Sequence, residues 1–182
     1  MKTLDLGCGR KKTPGAVGID FSPNSDADIV HDLNVFPYPL PDNEFDAIVC
    51  DGILEHLDDI VKVMEELHRI ARPNAQVLIT TPYFASVDAF TDPTHRHYFS
   101  ARSFDYFTGE FPEYRFYSST ARFKKRKFEI TFWKLPRLGG LRPQHLLGAH
   151  WLANRLTTVY ERFFAYILPA QTIRYELIVV KE

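Results

Sequence analysis

Two stretches of the 182-residue chain carry side chains whose types and spacing could do chemistry. The first is Leu4–Gly9, reading LDLGCG, with Gly18–Asp20, reading GID, after it. A strand that ends in Gly-x-Gly lets the backbone come very close to a ligand with its amides pointing outward. An acidic residue at the end of the next strand, here Asp20, is placed to accept hydrogen bonds from a ribose. The second stretch is Asp92–Phe99, reading DPTHRHYF. His95 and His97 offer near-neutral proton acceptors there, and Asp92 could orient His95. The alternative is that these side chains only hold their loop by hydrogen bonds. A His-x-His with one Asp is a weak metal signature, and no metal is expected. Cys8 and Cys50 have no thiolate-lowering neighbour in sequence and read as small buried apolar residues.

Spacing narrows the ligand of the first stretch. A dinucleotide site needs a helix N-terminus under the pyrophosphate, with its acidic residue about 20 positions further on. Here nine residues, 7–15, separate the two strands. A parallel crossover with a helix takes a dozen or more. A ligand with a ribose and no phosphate fits better than NAD.

The elements that must position these residues alternate as in an α/β sheet. Short strands are expected at 2–6, 16–20 and 28–32, and a buried one at 45–50 (FDAIVC). Residues 58–72 form the clearest helix: Ile60, Val63, Met64, Leu67, His68 and Ala71 share a face, Asp58 and Asp59 favour its start, and Pro73 ends it. A β-branched strand follows at 76–81 and runs into a long loop, 82–99, of the kind that is often functional. Beyond it the pattern predicts a short helix at 101–107, a strand at 127–135, a turn at 136–143 around Gly139–Gly140, a helix at 145–167 and a strand at 173–180. Strands joined by such connections imply a doubly wound, mostly parallel sheet.

Composition fits one soluble domain: 45% of residues are hydrophobic and 25% charged. The longest apolar run, Phe163–Leu168, is far too short to span a bilayer, and no signal peptide is visible. With two cysteines and no disulfide framework, a cytoplasmic setting is expected. The net charge of −1 hides an asymmetry: residues 1–94 hold 7 Lys+Arg against 16 Asp+Glu, and residues 95–182 hold 15 against 7. Either the two halves attract each other, or the basic half faces an anionic acceptor or surface.

LDLGCG at 4–9, GIDFS at 18–22, Asp32, FDAIVC at 45–50, LEHL at 54–57 and RPNAQVLITTP at 72–82 occur in the order of a known pattern. Over residues 2–82 the chain resembles the class I S-adenosylmethionine-dependent methyltransferases, close to the type 11 small-molecule group. The resemblance implies a Rossmann-like sheet of seven strands with a C-terminal antiparallel hairpin made by the 127–135 and 173–180 strands. It implies one domain, with a cofactor-binding half at 1–82 and an acceptor half at 83–182.

On this resemblance Asp5, Gly7, Cys8 and Gly9 border the methionine part of S-adenosyl-L-methionine. Asp20 binds both ribose hydroxyls and Phe21 lies against the adenine. Asp32 and Leu33 meet the adenine edge, while Cys50, Asp51 and Gly52 lie beside the ammonium and sulfonium. Glu55–His56 is similar to a pair by which some relatives hold a metal, but those carry another carboxylate where this chain has Gly52, so packing at the helix start is expected. The loop with His95 and His97 is expected to meet a small-molecule acceptor, with the 145–168 segment as a lid.

The chain also departs from the pattern. The first crossover is trimmed, the second (22–27) is too short for a regular helix, and no helix precedes the first strand. One cofactor wall is therefore expected to be open, or covered by a homodimer mate, another partner or the second half. The rival reading is a noncatalytic S-adenosylmethionine-fold module that binds a protein or a membrane surface. No groove-reading or base-stacking motif points to nucleic acid.

Overall fold

A computed structural model describes residues 1–109, 119–133 and 148–181. Seven strands share one sheet: β1 (Thr3–Leu6), β2 (Val17–Asp20), β3 (Ile29–Val30), β4 (Phe45–Asp51), β5 (Ala71–Pro82), β6 (Phe123–Thr131) and β7 (Thr172–Val179). They lie in the order β3-β2-β1-β4-β5-β7-β6. The first five are parallel, and β7 runs antiparallel between β5 and β6. This is the Rossmann-like arrangement expected, with its C-terminal antiparallel hairpin. The order reverses between β1 and β4, where the carboxyl ends of an open α/β sheet leave a crevice.

Strand alternation separates two faces. Leu6, Cys50, Ile79 and Tyr175 are cross-strand partners in one row, all buried. They join Val63, Met64 and Leu67 of helix α1 (Ile60–Ile70) and Phe104 and Phe107 in one core. The neighbouring row on the other face is Asp51, Thr80, Arg174 and Glu129. That face stays open at Asp51, Leu78 and Arg174. The trimmed crossovers explain the opening, because neither 7–16 nor 21–28 contains a helix. A parallel sheet ordinarily buries both faces. Here charged and hydroxyl side chains replace the apolar ones that a covering helix would need.

Asp59 caps α1 by accepting from the Lys62 amide at 3.1 Å. Glu66 and Arg69 on α1 clamp the segment before β4. Glu66 accepts from the Tyr38 amide, and Arg69 donates to the Tyr38 and Leu40 carbonyls and pairs with Glu66 and Asp42.

The 82–99 loop is closed by a parallel bridge between Tyr83 and Phe99 and contains a short helix, α2 (Asp88–Thr91). The helix expected at 101–107 is a 3-10 turn, Ser103–Phe107. The C-terminal helical segment is not continuous. Helix α3 (Ala149–Arg155) stops at Leu156, whose φ of −121° and ψ of 51° leave the helical region. Asn154 instead bonds both main-chain groups of Ile130 on β6. The chain then resumes as a short helical turn, Thr157–Val159, and a π-turn, Tyr160–Phe164. Strand β6 begins at Phe123, earlier than expected. The 136–143 turn, the end of the expected 127–135 strand and the start of the 145–167 helix lie outside the described residues. No described helix is long and apolar enough to cross a membrane.

Candidate active site

The Gly-rich turn after β1 is held from two sides. Gly7 donates to the Ile19 carbonyl at 2.8 Å, and Gly9 accepts from the Asp26 amide at 2.7 Å. Gly7 sits at φ +68°, and a Cβ there would collide with the Ile53 side chain. Gly9, at φ +53°, faces open space. Asp20 ends β2 nearly buried, and its two oxygens accept from the amides of Gly9 at 2.9 Å and Ser22 at 2.8 Å. A carboxylate has about four lone-pair sites, so one acceptor position remains on each oxygen.

A cleft of about 630 Å³ opens at these carboxyl ends. Asp20, Phe21, Asp32, Leu33 and Asn34 line one end, and His56 and Thr94 the other. Gly7, Gly52 and Ile53 lie between. Phe21 is 73% exposed, an apolar ring with no core to fill. Asp32 accepts from the Asn34 amide at 2.9 Å, and the Tyr38 hydroxyl donates to the Leu33 carbonyl at 3.0 Å, which fixes that edge.

The other expected cofactor residues lie apart from this cleft. Asp5, Cys8, Gly9 and Asp51 border a second hollow of about 380 Å³ with Arg10 and Lys11, and Gly7 borders both. Asp5 accepts from the Thr13 amide at 2.6 Å, tying down the short crossover. Burial, and then the charges of Asp20 and Asp5, push the Cys8 thiol up. Burial does the same to Cys50, whose side chain turns into the core. Both cysteines are free, as buried thiols.

The His56–Thr94 end is built from the 3-10 turn Leu54–His56 and the 92–97 loop. The amides of Arg96 and His97 donate to the Glu55 carbonyl at 2.7 and 3.2 Å, pinning loop to turn. Arg96 also pairs with Asp58. His56 and His95 meet edge to face, with ring centroids 4.7 Å apart.

The hydrogen-bond pattern differs from the expected Asp92–His95 pair. His95 Nδ1 lies 2.9 Å from the Ala89 carbonyl. Asp92 accepts from the Thr94 hydroxyl at 2.7 Å, and Thr94 Oγ1 lies 2.8 Å from His56 Nδ1. Asp92 therefore orients His56 through Thr94. A carbonyl can only accept, and the Thr94 proton is taken by Asp92, so both rings donate from Nδ1, and the neutral form of each presents a bare Nε2.

Glu55 is buried, and the Thr81 hydroxyl donates to its carboxylate at 3.1 Å. Burial pushes its carboxyl above the ordinary carboxylate range. The His97 Nε2 is buried with no hydrogen-bond partner among the described residues. His56 and Thr94 were not singled out for the cleft by sequence, although the LEHL run contains His56. Thr94 gives no signal beyond its place beside His95.

A family profile described as a methyltransferase domain matches residues 4–79. A 2-phytyl-1,4-naphtoquinone methyltransferase from Nostoc sp. is 40% identical over 48 residues, a stretch covering 26% of this chain and 21% of that protein. A SAM-dependent methyltransferase of known structure from Archaeoglobus fulgidus aligns with a TM-score of 0.60 at 16% identity, over 97% of this chain and 85% of its own. Phosphoethanolamine N-methyltransferase 2 from Haemonchus contortus, solved with S-adenosyl-L-methionine, aligns with a TM-score of 0.57 at 16% identity, over 100% of this chain and 50% of its own. Motif order and sheet order agree with these likenesses: residues 4–79 match a methyltransferase domain, and the fold is the one seen in the S-adenosylmethionine-dependent methyltransferase structures.

Proposed function

We propose that the chain transfers a methyl group from S-adenosylmethionine to an oxygen of a small-molecule acceptor that enters the cleft at its His56–Thr94 end. One observation carries the reading: a carboxylate with two spare acceptor positions and a histidine with a bare Nε2 border the same cleft. Its size, about 630 Å³, is that of a small-molecule site.

The residues fit the donor. Asp20 would take both ribose hydroxyls, Phe21 would cover the adenine, and Asp32 and Leu33 would meet its edge. Gly7, Gly9 and Gly52 leave room for the methionine part, with Cys8, Cys50 and Asp51 offering main chain and Asp5 holding the turn behind them. When bound, S-adenosylmethionine supplies a methyl on a cationic sulfur, which leaves as a neutral thioether. The chain's part is alignment in a closed site, worth up to about 7–11 kcal/mol. A positioned proton acceptor adds about 10²–10⁴-fold. In this reading the acceptor's proton goes to an Nε2 of the His56–His95 pair, and His97 is a further acceptor. A second copy or another partner would pack on the open sheet face.

Calorimetric titration with S-adenosylhomocysteine, followed by a methyl-transfer assay over phenols, quinols and hydroxy acids, tests this. Saturable binding and acceptor-dependent turnover, both lost in Asp20→Ala, are expected. A folded chain that binds no S-adenosylhomocysteine at about 1 mM would refute the reading.

A further inference from the structure

Glu55, His56 and His95 each bring one ligand-type atom to a common point, all within 4.8 Å of one another. They come from the 3-10 turn and from the loop pinned to it by the Arg96 and His97 amides, so the grouping is fixed by main-chain bonds. Nothing in the methyl-transfer reading requires a buried carboxylate here. A single proton acceptor would suffice.

The electrostatics of the group are unbalanced. Glu55 is only 2% exposed, its carboxylate accepts from the Thr81 hydroxyl, and no Lys or Arg pairs with it among the described residues. Arg96, whose amide donates to the Glu55 carbonyl, turns its side chain outward to Asp58. A buried carboxylate is stable when it is paired with a cation or bound to a metal.

The histidines are set for the second solution. A metal-binding imidazole presents a bare nitrogen while its other N–H donates to a carbonyl or a carboxylate-held group. His95 donates from Nδ1 to the Ala89 carbonyl, and His56 donates from Nδ1 to Thr94, which Asp92 holds. Both rings thus have the supporting bond and the correct bare atom. Gly52, at φ +67°, lines the cleft beside His56.

We propose that Glu55, His56 and His95 bind a divalent transition-metal ion at the acceptor end of the cleft. Two imidazoles and a carboxylate suit zinc, manganese, iron(II) or cobalt rather than calcium or magnesium, which take oxygen ligands. Three protein ligands leave coordination positions free for an oxygen of the acceptor, as in catalytic rather than structural sites. This deepens the methyl-transfer reading by naming its acceptor class: a molecule with a hydroxyl that can bind a metal. With the ion bound, the two Nε2 atoms are ligands in place of the proton acceptors of the metal-free reading; the cation lowers the hydroxyl's pKa, and its proton leaves to water. The oxygen–methyl bond then forms as the sulfur–methyl bond breaks, with the electron pair going to sulfur.

The test uses the full chain, stripped with chelator and titrated with Zn²⁺ and, separately, Co²⁺, with metal content and the cobalt d–d absorption as readouts. One ion per chain is expected. Glu55→Gln, His56→Ala and His95→Ala should each weaken binding by more than about 100-fold, and Thr94→Val, which only orients His56, by about 10–100-fold. His68→Ala, on α1, should bind as the parent does. Circular dichroism establishes that each variant is folded, and Thr94→Val keeps the test open if a ligand variant is not. Absence of Zn²⁺, Co²⁺ and Mn²⁺ binding at about 1 mM overturns the proposal, as does full binding by a His56→Ala/His95→Ala double variant. S-adenosylhomocysteine titration of the same samples separates the two readings. Loss of the metal proposal with cofactor binding intact leaves methyl transfer standing, and metal binding without cofactor binding removes methyl transfer alone.

Discussion

Replacing Asp20 by Ala tests the donor half of the cleft. In the free chain each Asp20 oxygen already accepts one amide, from Gly9 at 2.9 Å and from Ser22 at 2.8 Å. The two remaining positions are those that a ribose diol would use. Hydrogen bonds to a charged group contribute about 1.5–3 kcal/mol each. Water fills part of the space left by the missing carboxylate, so the lower figure applies to each, about 3 kcal/mol together. At about 1.4 kcal/mol per decade, S-adenosylhomocysteine affinity should fall by roughly 100-fold.

The same change has a structural cost, because Asp20 is 6% exposed and the two amides lose their acceptor. A loss of about 1–3 kcal/mol in unfolding free energy is expected, measurable by urea denaturation. Asp20→Asn keeps one acceptor oxygen and provides a better-folded companion for calorimetry. The ribose assignment is refuted if the folded Ala variant binds S-adenosylhomocysteine within about threefold of the parent.

Four further outcomes follow from the same geometry. Gly7→Ala places a Cβ against Ile53 at φ +68°, and should destabilise the chain by at least about 1 kcal/mol in urea denaturation. Gly9→Val meets no protein atom but fills the space over the turn, so the fold should persist while calorimetry shows cofactor binding abolished. Arg69→Ala frees the Tyr38 and Leu40 carbonyls and should cost about 2 kcal/mol or more in unfolding free energy. Burial alone would raise the Glu66 carboxyl, but bonds from Arg69 and the Tyr38 amide pull it below its ordinary 4.5, so its contribution is present above pH 4.5 and lost as pH falls through the folded value. The stability gap between the parent and Glu66→Gln should therefore shrink below pH 4.5, and a gap that widens there would contradict the assignment.

The sheet was legible because its strands carry local signals. FDAIVC and QVLITT are compact apolar runs, and α1 shows three-four spacing with Asp59 at its cap. The crossover length was legible too, since nine residues cannot hold a helix and none forms. The C-terminal segment was not. Leu152, Leu156, Val159 and Phe163 have helical spacing, but Leu156 leaves the helical region, and the Asn154 side chain ties α3 to the edge of β6. That tie is a tertiary contact with residue 130, invisible to any local window. Likewise, sequence places Asp92 three residues from His95, whereas the turn of the loop hands the carboxylate to Thr94 and so to His56.

The bare sheet face and the acceptor cluster have related origins. A usual doubly wound sheet secures its crevice with helices on both faces. This chain has no helix in its first two crossovers, so the turn over β1 depends on side chains: Asp5 holds Thr13, Asp20 holds Gly9 and Ser22, and Asp28 holds Gly18 and Lys12. Three aspartates do the work of two helices, and they are three of the 16 acidic residues within 1–94. At the other end of the cleft a hydrogen-bonded loop also replaces regular structure, with Glu55 at its centre. Both ends of the cleft are therefore set by polar contacts to main-chain amides. A variant that removes one of these three aspartates should loosen the Gly-rich end of the cleft and leave the distant β5–β7–β6 ladder protected in hydrogen exchange.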